Sequence, residues 1–177
     1  MNPDFTKTHF ALFGLDPTFA LDAKALDKAY LEVQKEVHPD RYVNAVDNEK
    51  RLAAQWAAQA NEAYRTLKSP LNRGRYLLKL NGIDTEEERN TAMPIAFLTE
   101  QIEWREAVVE AKAGRDDAAL DVLATQKRRD EIKLFALLAT QLADLDTLVN
   151  ARETVRKLRF LEKLGEEIQL AAEAIES

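Results

Sequence analysis

The chain has 177 residues, 46% hydrophobic and 32% charged, with a formal net charge of -6, no cysteine and two histidines. Such a make-up forms one large or two small globular domains rather than a disordered tail, and it excludes disulfides, thiol nucleophiles and cysteine-held zinc or iron-sulfur clusters. The charge is lopsided: residues 1–78 carry 11 Lys and Arg against 10 Asp and Glu, residues 79–177 carry 14 against 21. Nucleic acid is therefore not an expected partner, because cationic phosphate contacts supply most of that affinity.

Only five glycines and five prolines interrupt a chain rich in Ala, Leu, Glu, Lys, Arg and Gln, which predicts an all-α fold. The two histidines, His9 and His38, do not form an i, i+4 metal pair, so no metal and no other cofactor is expected. The opening MNPDFTKTHF has no apolar core of a signal peptide, and no run reaches 18 apolar residues. No membrane partner is expected, and the expected location is cytoplasmic.

Taken in order, THFALFGL predicts a short helix closed by Gly14. Asp22 can cap a second helix in which Leu26, Ala29, Tyr30, Val33 and Val37 keep an amphipathic period. Pro39 disfavours helix at His38, so HPDRYVN is expected to be a loop. Helical period resumes near Val46, with Ala53, Trp56, Ala57, Ala60, Tyr64 and Leu67 on one side. Two antiparallel helices joined by the loop are implied. Ser69 and Pro70 start a further helix that Asn81-Gly82 ends. The acidic stretch NGIDTEEERNTAMP has no apolar period and is expected to be a linker.

Beyond Pro94, helical stretches at about 95–113, 116–142 and 147–175 are broken at Gly114 and at residues 144–146. Their short connections predict an antiparallel three-helix bundle. The expected organisation is thus residues 1–80, a linker over 81–93, and a bundle over 94–177.

The most specific signal is His38-Pro39-Asp40, a tripeptide that chance composition would place in roughly 1% of chains this long. A proline between an imidazole and a carboxylate presents fixed polar groups at a helix end, which suits recognition more than chemistry. The plainer reading is a loop whose His38 and Asp40 bond only local backbone. The tripeptide follows an FGL turn at 13–15 and precedes Asn61-Glu62-Ala63-Tyr64, Leu67, Pro70, Arg73 and Tyr76. That arrangement resembles a J-domain. The resemblance implies docking on a DnaK-class ATPase chaperone and stimulation of its ATP hydrolysis. The residues implied are His38, Pro39, Asp40, Arg41 and the basic side chains Lys24, Lys28 and Lys35, which share one face of the preceding helix. Leu31 and Glu32 stand where general J-proteins are commonly basic, which implies a dedicated chaperone.

The second half lacks the Gly/Phe-rich linker and zinc module of general J-proteins. Phe97-Leu98-Thr99-Glu100-Gln101, followed by Glu103, Arg105-Glu106 and Glu110, together with Val155-Arg156-Lys157-Leu158-Arg159-Phe160-Leu161, resemble the HscB-type iron-sulfur cluster co-chaperones, of the bacterial type without zinc-binding cysteines. The likeness spans essentially the full length. It implies an HscA-type chaperone and the scaffold protein IscU as partners, with Leu98, Thr99, Ile102, Glu103, Glu106, Glu110 and Phe160 as the client surface. A larger apolar residue is familiar at position 99 in that family, so Thr99 implies a weaker or differently shaped contact.

The residues themselves allow two arrangements of this helix. Met93, Phe97, Trp104 and Val108 form one stripe, and Leu98, Ile102 and Val109 a second, about 130° round. Both can be core if the helix lies between two others. Otherwise the second stripe, margined by Glu103, Glu106 and Glu110, is a surface with an apolar centre and a polar rim. Phe160 sits at the edge of the last helix's apolar arc, beside Arg152, Arg156, Arg159 and Lys163. No enzyme activity is expected, since carboxylates such as Glu103 and Glu106 are explained by a solvated face. The alternative function is a J-protein with another client or a general folding role.

Overall fold

The computed structural model describes residues 4–43, 45–85 and 93–176. Among these residues there are seven α-helices, two 3-10 turns and no strand: α1 His9–Leu12, α2 Ala23–Val37, a turn at Pro39–Tyr42, α3 Asp47–Lys68, α4 Pro70–Leu80, α5 Ile95–Gly114, α6 Asp117–Leu142, a turn at Leu145–Thr147 and α7 Leu148–Glu176. The all-α architecture is the expected one. Contacts divide the chain into two compact units, Met1–Leu77 and Leu78–Ser177. Of the expected linker, residues 86–92 lie outside the described residues.

Helix ends follow local chemistry. Thr8 Oγ1 accepts from the Ala11 N–H (3.2 Å), Asp22 Oδ1 from the Lys24 N–H (2.9 Å) and Ser69 Oγ from the Asn72 N–H (3.3 Å), each satisfying an orphan donor of a first turn. Gly14 (φ 65°) and Gly82 (φ 74°) close α1 and α4 in the left-handed region, which costs glycine nothing because it has no Cβ.

In the first unit α2 packs along α3, and α1 lies against α3. Phe10, Leu26, Val37, Trp56, Ala60, Ala63 and Leu67 form the buried centre. Ala57 and Tyr64, expected on that buried side, are only partly covered. Tyr64 instead stacks on Tyr30 (centroids 4.1 Å, 20° between planes). Asn61 Oδ1 accepts from both the Tyr30 hydroxyl (2.8 Å) and Gln34 Nε2 (2.7 Å), tying α3 to α2. Asn61→Ala strands two part-buried donors and is expected to cost about 1–2 kcal/mol, read as a lower denaturant midpoint with an unchanged slope.

One turn nearer the end of the hairpin, Asp27 accepts from Lys68 Nζ (2.5 Å) and from the Tyr64 hydroxyl (2.9 Å). The lysine, then the phenol, hold the Asp27 carboxyl below its ordinary range. Whatever this pair contributes is therefore present above the unfolded carboxyl's pKa and is lost as pH falls through the lowered one.

The second unit is the α5–α6–α7 bundle. Val108, Ala111, Leu120, Leu161, Leu164, Ile168, Ala171 and Ile175 make its core, with Trp104, Leu123 and Leu134 packed against them. The break after α5 differs from expectation. Gly114 is the last helical residue, and Arg115 takes the left-handed conformation (φ 51°). Its guanidinium reaches across the bundle and donates to the Ile175 carbonyl near the end of α7, a partner 60 residues away. Asp116 then caps α6 by accepting from the Ala119 N–H (3.0 Å).

Gly165 lies in the interior of α7, with only the flexible head of Lys127 near the place a Cβ would occupy (Nζ 3.1 Å). Gly165→Ala is expected to stabilise the protein by about 0.5–1 kcal/mol, because the lysine head moves easily while a helical glycine loses more entropy than alanine. Thermal melting checks this as a rise of about 1–4 °C for a chain this long.

Candidate functional site

The motif His38-Pro39-Asp40 is not an open loop. Proline fixes φ at the first position of a 3-10 turn over Pro39–Tyr42, and His38 caps it, its Nδ1 accepting from the Asp40 N–H (3.3 Å). Expected as a loop, the segment is held as a turn because two following side chains reach back over the end of α2. The Tyr42 hydroxyl donates to the Glu36 carbonyl (3.1 Å) and Arg41 Nη1 to the Lys35 carbonyl (3.4 Å). These bonds satisfy carbonyls that a helix C-terminus leaves orphaned.

His38 and Asp40 themselves point to solvent, with side chains 58% and 85% exposed and Nδ1 3.5 Å from Oδ2. The Pro39 ring lies outside the described side chains. Lys24, Lys28 and Lys35 are all exposed on α2. Lys35 Nζ, however, is paired with Glu32 Oε1 at 2.8 Å. The Glu32 carboxyl lies below its usual range, chiefly through that hydrogen bond and the Lys35 charge, with a smaller part from Lys28. Leu31 is also exposed. The face leading to the turn is thus alternately basic, acidic and apolar rather than uniformly basic.

Beside the turn a cavity of about 570 Å³ opens between α2 and α3, floored by Ala53, Ala54, Ala57 and Ala58.

The second site lies on the bundle. The structure decides between the two arrangements of α5. The first stripe faces the core: Met93 and Val108 are buried, Phe97 and Trp104 half-buried. The second is largely uncovered: Ile102 is 58% and Val109 66% exposed, Leu98 half-buried. Thr99, Glu103, Glu106 and Glu110 are exposed around them. Thr99 Oγ1 donates to the Ile95 carbonyl (3.1 Å), so its hydroxyl is turned back on its own helix. Phe160 is half-buried and meets the Phe97 ring edge-on (centroids 5.7 Å, 85°), so this aromatic pair joins α7 to α5.

Two features were not expected. Arg156, placed by the sequence in a basic row beside Phe160, is 7% exposed and donates from Nε to the Thr85 carbonyl (2.8 Å). Burial of a guanidinium is tolerated there because it is hydrogen-bonded. Gln101 lies in the buried stripe of α5, 2% exposed, between the half-buried Phe97 and Trp104. Its only signal in the sequence was a polar residue at the centre of an apolar stripe.

No group of three or more His, Asp or Glu that could hold a metal occurs among the described residues, and no helix described is long and apolar enough to cross a membrane.

Known proteins share both halves. A family model described as "HSCB C-terminal oligomerisation domain" matches residues 93–169. A co-chaperone protein HscB homolog of Paraburkholderia phymatum is 49% identical over 170 residues, covering 96% of this chain and 97% of that one. The solved chaperone HscB from Vibrio cholerae is 36% identical with a TM-score of 0.85, over 96% of this chain and 99% of that one. Human co-chaperone HscB is 30% identical with a TM-score of 0.89, over 95% and 83%. With an exposed His38-Asp40 turn on a helical hairpin, a three-helix bundle later in the chain and near-full-length relatives of one kind, the chain belongs to the HscB family of co-chaperones.

Proposed function

We propose that this protein is a non-enzymatic adaptor that captures an IscU-type iron-sulfur scaffold protein and delivers it to an HscA-type, DnaK-class ATPase, whose ATP hydrolysis it stimulates. In this reading residues 1–80 are the J-domain, 81–93 the linker and 94–177 the client-binding bundle. His38, Pro39, Asp40 and Arg41, with Lys24, Lys28 and Lys35, dock on the chaperone. Leu98, Thr99, Ile102, Glu103, Glu106, Glu110 and Phe160 dock on the scaffold.

The observation that carries the reading is the second apolar stripe of α5. Ile102 and Val109 stand uncovered on a helix whose other stripe is already in the core. An apolar strip with an acidic margin has the make-up of a modest protein interface, with the apolar centre supplying affinity and the charged rim steering encounter.

In the first unit, the His38-Asp40 turn offers solvent-facing polar groups on a backbone fixed by Arg41 and Tyr42. A preordered turn loses little entropy on docking. Holding client and chaperone on one chain raises the effective concentration of each at the other. Stimulated hydrolysis then favours whichever chaperone conformation holds the client more tightly, a shift set by differential affinity.

The test is steady-state ATP turnover by the chaperone with the scaffold protein, this chain, or both. Stimulation greater with both than with either alone is expected. Turnover by this chain without chaperone, or no stimulation at saturating concentrations, overturns the proposal.

A further inference from the structure

Within the bundle, Phe97, Gln101 and Trp104 of α5, Leu134 of α6 and Leu161 of α7 line a slot of about 250 Å³. Glu100, Asp130, Lys133 and Lys157 complete the lining, and Gln101 is its buried polar residue. The residue is 2% exposed, and its Oε1 finds no hydrogen-bond partner among the described residues. Native structures seldom leave a buried acceptor uncompensated, because it forfeits its water without a replacement.

The charges around the slot decide what it can take. Lys133 Nζ is held by Asp130 (2.8 Å) and Lys157 Nζ by Glu153 (2.7 Å), so the cations lining the slot are already paired. Two lysines face two acids, Glu100 and Asp130, in the lining. With both lysines neutralised by partners and Glu100 exposed at the margin, no positive field is left to hold an anion, and the buried wall carries no charge. An aliphatic guest would bury its carbon and leave Gln101 unpaired. Two aromatic rings, at i-4 and i+3 from Gln101, favour a planar guest.

We propose that the slot binds a neutral aromatic group carrying one N–H or O–H donor, of the phenol or indole class, which donates to Gln101 Oε1. The Phe97 ring is shared between this slot and the edge-on contact with Phe160. The slot thus meets the face assigned to the client at Phe160, through the Phe97 ring. On that reading a Tyr or Trp side chain of the scaffold protein supplies the group, and a free phenolic molecule is the other source.

The probe is 4-methylphenol, with toluene as its counterpart lacking the donor, titrated into the full chain and followed by NMR. Saturable shifts of the Gln101 and Trp104 side-chain N–H signals are expected, with 4-methylphenol bound roughly tenfold tighter than toluene, the worth of one hydrogen bond to a buried acceptor. Gln101→Leu removes the unpaired acceptor, is expected to fold at least as stably, and should erase that preference. No saturable shift, equal binding of the two probes, or a preference that survives Gln101→Leu means the slot is a solvent-filled gap and overturns the proposal.

A second arm identifies the source. Saturating 4-methylphenol is expected to weaken scaffold binding severalfold, whereas unchanged scaffold binding assigns the slot to a free molecule. Leu98→Ala with Ile102→Ala should weaken scaffold binding without altering probe affinity, so failure of the client face and failure of the slot are read separately.

Discussion

Replacing His38 with glutamine is expected to leave the protein folded while raising at least about 30-fold the concentration needed to stimulate the chaperone's ATPase, the loss of an interface hot spot of about 2 kcal/mol. The fold should not notice. The His38 side chain is more than half exposed and makes one long hydrogen bond, to the Asp40 N–H, so the stability change should stay within about 0.5 kcal/mol. The turn survives because Tyr42 and Arg41, not His38, fasten it to the Glu36 and Lys35 carbonyls. Melting temperature, helical circular dichroism and chaperone turnover, measured together on one preparation, separate the two effects. Unaltered stimulation at matched concentrations removes the turn from the mechanism.

The double change Leu98→Ala with Ile102→Ala is expected to weaken scaffold binding about 100-fold, since two apolar anchors at the centre of one interface each contribute about 1–2 kcal/mol. Ile102 is 58% exposed, so its truncation removes little folded packing. Phe160 is a poorer choice for this test, because its ring also packs on Phe97, and Phe160→Ala would loosen the joint between α5 and α7 as well as the surface. Calorimetric titration with the scaffold protein reads the loss. The same variant, without client, should stimulate the chaperone normally through the first unit. Reversing the rim with Glu103→Lys and Glu106→Lys should chiefly slow association and flatten its salt dependence, as rim charges do. Wild-type affinity in the double variant would place the client elsewhere.

Much of this was legible before any coordinates. Helix starts at Ala23 and Pro70 follow from Asp22 and Ser69, and the ends near Gly14 and Gly82 from glycine's tolerance of positive φ. Each is an interaction within about four residues, so a linear reading reaches it. The His38-Pro39-Asp40 turn and the VRKLRFL run are equally local strings, and they carried the family. The exact form of the turn was not legible, because it depends on side chains folding back six residues to Lys35 and Glu36.

What the sequence by itself determined was the class of fold, the helix boundaries to within a residue or two, and the two stripes on α5. Only the tertiary structure decided that the Met93–Val108 stripe is the buried one and the Ile102–Val109 stripe the open one, that Arg156 and Gln101 are inside, and that Arg115 rather than Gly114 turns the chain. The reason is that capping and periodicity are properties of a single helix. Burial depends on which neighbour covers a face, and that neighbour, such as Ile175 for Arg115 or Thr85 for Arg156, lies 60 or 71 residues away.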